Sequence, residues 1–140
     1  MTGRRVTTAE DEYVVDGSAI NKLLDAYPLD IRMLPGQVFD IVEKKLVKVL
    51  HDEIESAKAH TVRFVNLEAI SSGPHRDFSY AICGGLSELI DSLVEEKIAV
   101  EGIISDPNGL PWNLISRIDK SFKGEFSGRT PSESPVKEIR

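Results

Sequence analysis

A single cysteine, Cys83, stands in the 140 residues of this chain. No intramolecular disulfide can form, so the fold must rest on packing, and the disulfide scaffold of small secreted domains is excluded. Aromatic residues make up 6% of the chain, with one Trp, which weighs against a stacking platform for single-stranded nucleic acid. No apolar run approaches the roughly 18 residues that a membrane helix needs. Arg4 and Arg5 lead into Thr7, Thr8, Glu10 and Asp11 rather than an apolar stretch, so the N-terminus does not read as a secretory signal. The expectation is a cytoplasmic protein with no membrane contact. Gly84-Gly85 lacks the further glycine and lysine of a phosphate loop, and no serine elbow of the GxSxG type occurs. No cofactor is expected.

What is present is charge, unevenly placed. The net charge is −6. Residues 66–119 carry nine acids against three bases, so this stretch holds the whole excess. Such a surface repels phosphate and favours basic protein partners or plain solubility. Hydrophobic residues reach 41%, enough for one core at this length and too many for wholesale disorder.

Residues 1–12 are polar and without periodicity, which reads as an arm. Residues 124–140, with Gly128, Pro131 and Pro135, read as a tail. One globular α+β domain is expected between them, over residues 13–123. Its first helix is expected over 18–26, capped by Ser18 and ended by Tyr27-Pro28. The longest helix is expected over 37–59, where Val38, Phe39, Val42, Leu46, Val49, Leu50 and Ile54 form a stripe at three- and four-residue spacings opposite lysines and acids. That helix reads as the organising element of the fold. Residues 61–65 alternate as a short strand, and Asn66 is placed to cap a helical turn. A third helix is expected from Asp77 or Ser79 to Glu96, with Ile82, Leu86, Leu89, Ile90, Leu93 and Val94 on one stripe. Gly84-Gly85 inside it implies close helix approach, a kink, or a start at Ser87. Residues 98–104 form the strongest strand pattern, and Asp106-Pro107-Asn108-Gly109 is a turn signal. The expectation is an antiparallel hairpin returning along 110–114, then a last helix over 114–122. The order of these parts is similar to a winged helix-turn-helix over residues 57–116, and equally loosely to a histone fold, a plan that the Pro74 break and the expected hairpin exceed. The helix that would enter a groove offers Glu88, Asp91, Glu95 and Glu96, where base and phosphate contacts want Arg, Lys, Asn or Gln.

Three clusters bear on chemistry. His75-Arg76-Asp77 follows Gly73-Pro74 directly; a histidine oriented by an acid can move protons, and Cys83 could join it as a thiolate near a helix start. The plainer readings are an N-cap for Asp77 and burial for Cys83. His51 and Glu55 lie i, i+4 on one helix face, the spacing of metal ligands, but without a second ligand pair they read as a solvated stripe. Glu95-Glu96-Lys97 with Glu101 is too loose a grouping for a nuclease centre. The sequence therefore favours a non-enzymatic binding or assembly protein acting through its acidic C-terminal half on a protein partner or on itself. Glu88, Asp91, Glu95, Glu96 and Trp112 are its candidate contacts. A winged-helix regulator and a small enzyme using His75, Asp77 and Cys83 are the alternatives.

Overall fold

The computed structural model describes residues 12–104 and 109–118. The fold is α+β, and its sheet is parallel. Strand β1 (Glu12–Asp16) pairs with β2 (Thr61–Val65), and β2 pairs with β3 (Ala99–Ile103), in the order β1-β2-β3. Between β1 and β2 come α1 (Gly17–Leu24), α2 (Pro35–Ile41), a π-helical turn (Val42–Val47) and α3 (Lys48–Ala57). Between β2 and β3 come α4 (Glu68–Ser72), a 3₁₀ turn (Arg76–Phe78) and α5 (Ser79–Glu95), and α6 (Trp112–Ile115) follows β3.

Two expectations are overturned. The antiparallel hairpin does not form: β3 lies parallel to β2, and the segment expected to return beside it bends at Leu110 and turns helical at Trp112. Three residues of the expected turn, Asp106, Pro107 and Asn108, lie outside the described residues, as do the end of the last helix and the tail. The winged-helix comparison needed that hairpin. Nor is there a single long central helix, because π-helical Val42–Val47 divides residues 35–57. The cause is in the stripe itself. Val38, Val42, Leu46, Leu50 and Ile54 are all buried and recur strictly every fourth residue. In an α-helix each such step drifts by about 40°, since four residues overshoot one turn of 3.6. The wider π-helical turn unwinds that drift and returns the stripe to the core.

Strand β1 was the element the sequence concealed, since it begins where the polar arm was expected to end. Its Val15 faces inward with Val62, Phe64 and Val100, all buried. The other face alternates outward, with Val14 half-exposed and Arg63 on the central strand. Arg63 bonds Glu12 on β1 at 2.6 Å and Glu101 on β3 at 2.9 Å, tying three strands through one guanidinium. The hydrogen bond to Glu12 in particular holds the Arg63 guanidinium above its ordinary pKa. Crossovers of the usual right hand that step twice in the same direction put both helical layers on one face. The one-sided burial agrees.

Helix α1 is capped by Asp16, whose carboxylate accepts the Ser18 N–H at 2.8 Å, so the cap sits two residues ahead of the expected Ser18. A Cβ on Gly17 would lie 2.1 Å from the Asn66 carbonyl oxygen, so only glycine lets the ends of β1 and β2 pass this closely. Asn66 caps no helix through its side chain. It adopts φ 55° and donates its amide to Ser18 Oγ at 2.8 Å. Helix α5 runs unbroken through Gly84-Gly85, and close helix approach is the reason. A Cβ on Gly84 would meet Phe39, and one on Gly85 would meet Val42 and Val47. Val94 leaves the expected stripe and is exposed.

Candidate binding groove

The carboxyl ends of parallel strands are the usual place to look for a site, at the point where strand order reverses. The order β1-β2-β3 has no reversal, and most of the polar side chains near those ends bond one another, although the Asn21 Oδ1 is buried without a partner. Asp16, Ser18 and Asn66 form one hydrogen-bonded group, and the Asn21 amide donates to the Ala69 carbonyl at 3.1 Å.

The residues of the alternative enzyme reading, His75, Asp77 and Cys83, have separate surroundings. His75 is buried, and its Nε2 meets Asp25 at the end of α1, at 3.1 Å, rather than Asp77. The contact ties the segment before the 3₁₀ turn to the end of α1. Cys83 is buried, and desolvation pushes its thiol up to about 12, the reverse of what a nucleophile needs. Asp77 caps no helix: the 3₁₀ turn and α5 both begin without a side-chain cap. Asp25 was missed in the sequence because no local pattern links positions 50 residues apart.

Asp77 instead lines a groove of about 680 Å³. One wall is the connector after α1 and the start of α2, through Ile31, Met33 and Phe39. The other is the 3₁₀ turn and the start of α5, through Phe78, Tyr80 and Ala81. Each wall has a local cause. Asp30 accepts hydrogen bonds from the Arg32 backbone and guanidinium, and those bonds hold its carboxyl below the usual range. The turn so fixed presents Ile31 on one side of Arg32 and Met33 on the other. Pro35 starts α2 at its first position, and the Gln37 side chain accepts the Leu34 N–H at 2.8 Å, half of a capping box. Gly84 lets Phe39 lie against α5 and forms the floor. Two of the lining side chains stand largely in water, Ile31 at 73% exposed and Tyr80 at 79%, as does Leu34 at 67% between the lining residues Met33 and Pro35. Asp77 is the only charged residue among those lining the groove.

The acids named from the sequence do not converge on one point. Glu88, Asp91, Glu95 and Glu96 are all exposed on or just after α5. Asp91 is engaged by Arg117 at 2.8 Å, and Glu96 by His51 at 2.9 Å. Glu88 follows Gly84 by one helical turn, which puts it on the groove side of α5. Trp112 is partly buried against the core. The groove residues before Pro35 fall between the helices expected over 18–26 and 37–59, where no period marks them. No protein-family model, curated protein sequence or solved structure matches this chain.

Proposed function

We propose that this protein is a non-enzymatic binding module that receives a segment of a partner protein, an apolar anchor flanked by basic residues, in the groove between the 31–39 stretch and the start of α5. One observation carries the reading. A groove of about 680 Å³ is walled almost wholly by apolar side chains, three of its neighbours protrude into water, and its one charged lining residue is the acid Asp77. Recognition clefts bury large apolar anchors and use few polar groups to fix orientation. Charge complementarity selects the flanks: Asp77 within the groove, Glu88 one turn further along α5 and the net charge of −6 all favour Lys or Arg on the partner. The acidic half thus supplies one wall and the steering field, and the 31–39 stretch supplies the other wall.

The test is selection from a random peptide library on the full chain, followed by affinity measurement. Enriched peptides are expected to carry two or three large apolar residues with adjacent Lys or Arg. They should lose at least tenfold in affinity to an I31E/Y80E double variant, whose exposed positions leave the fold intact. Peptides without basic residues, or equal binding to that variant, would overturn the reading. So would concentration-dependent self-association abolished by I31E/Y80E, since the occupant would then be a second copy.

A further inference from the structure

A second cluster lies away from the groove, on α3 and the end of α5. Residues His51, Asp52 and Glu55 of α3 each bring a ligand-type atom within 4.8 Å of the others. The i, i+4 pair alone would be an ordinary solvated stripe, but the fold adds a group from another element. Glu96, just past α5, meets His51 Nε2 at 2.9 Å through its carboxylate. A carboxylate there favours the neutral tautomer with its proton on Nε2, in which the lone pair stands on Nδ1. That nitrogen faces Glu55 Oε2 at 3.9 Å, beyond hydrogen-bond range. Two electron-pair donors thus face each other with a gap between them, and Asp52 stands beside them.

We propose that His51 Nδ1, Glu55 and Asp52 form a surface site for a divalent cation of the zinc class, with Glu96 as the positioning residue that orients the imidazole. The chemistry suits an imidazole with two carboxylates, the remaining coordination being water. Two ligands of a tetrahedral zinc ion stand roughly 3.4 Å apart. The half-exposed Glu55 and Asp52 side chains need only a rotamer adjustment to close on that distance. Asp52 also pairs with Lys48 at 3.5 Å, a contact a bound cation replaces. Glu96 plays the part that carboxylates behind metal-bound histidines commonly play, fixing tautomer and ring orientation. The site shares no residue with the groove, so neither reading depends on the other.

The experiment is titration of zinc chloride into chelator-treated full-length protein, followed by calorimetry and by the nitrogen resonances of the His51 ring. One saturable site with a dissociation constant below about 0.1 mM is expected, with the Nδ1 resonance shifted and Nε2 still protonated. H51A should lose at least tenfold, E55Q should weaken binding, and E96Q should lose about tenfold while shifting the ring nitrogens of the metal-free protein. E55Q keeps the test open should H51A fold poorly. Unsaturable binding, equal affinity in H51A, or a zinc shift on Nε2 would overturn the assignment.

Discussion

At the scale of single residues, burial decides what side chains can do. Cys83 is wrapped in the core, and desolvation moves its thiol from 9.0 to about 12. It should resist iodoacetamide at pH 8 in the native protein and react at once in denaturant. The same shift has a consequence for stability. Between about pH 9 and 12 the unfolded chain releases the thiol proton and the folded chain keeps it, so unfolding gains as pH rises. That contribution is whole below the unfolded value and fades through the window, at roughly 1 kcal/mol per pH unit. Tyr13 adds to the same trend, because burial first and Glu53 second raise its phenol. Chemical denaturation from pH 8 to 10.5 should show falling stability, with a shallower slope in C83A. An unchanged slope would mean that Cys83 is hydrated.

At the scale of elements, close packing and backbone conformation make opposite demands at different glycines and lysines. A Cβ on Gly85 would stand 2.7 Å from Val42 and 3.3 Å from Val47. Overpacking of that kind costs about 1–3 kcal/mol and outweighs the propensity gain of about 1 kcal/mol. G85A should therefore lower the urea midpoint. Gly36 in α2 has open space around it, and G36A should hold or raise it. Both crossover helices also end on a lysine in the left-handed region, Lys58 at φ 56° and Lys97 at φ 66°. A side chain there costs on the order of 1 kcal/mol that glycine avoids. K58G and K97G should each raise stability by about 0.5–1 kcal/mol, read as a Tm increase.

The same elements show how far the sequence could be read. Helical stripes in residues 38–54 and 82–93 were plain, as were the strands at 61–65 and near 98–104, because amphipathic periods are local. The pairing of those strands was not, because parallel neighbours are joined by long crossovers and leave no turn signal. The Asp106–Gly109 sequence supplied a strong local signal for a hairpin and won the comparison. The strands also lack the continuous apolar run that marks a parallel sheet buried on both faces. Arg63 and Glu101 stand on the outer face of this one. The groove fell in the connector, where side chains follow no period.

For the whole molecule the question is whether β1 completes the sheet, since nothing in its polar surroundings announces a strand. The register sets Val15 opposite Phe64 and Val14 opposite Arg63. A strand alternates faces, so adjacent residues must differ sharply. Val15 is 2% exposed and Val14 50%. An aspartate at Val15 would carry an unpaired carboxylate into the core, a change of the kind that costs about 3 kcal/mol or more. An aspartate at Val14 would stand in water near the Arg63 guanidinium and should cost less than about 1 kcal/mol. V15D is therefore expected to lose its cooperative urea transition or shift it steeply, while V14D unfolds nearly as the parent does. If residues 12–16 were an arm, both variants would be silent. If β1 were slipped by one residue, the two outcomes would exchange. The first result would remove β1 from its place beside β2 and the second would change its register, and either would take away the reason that Glu12 meets Arg63.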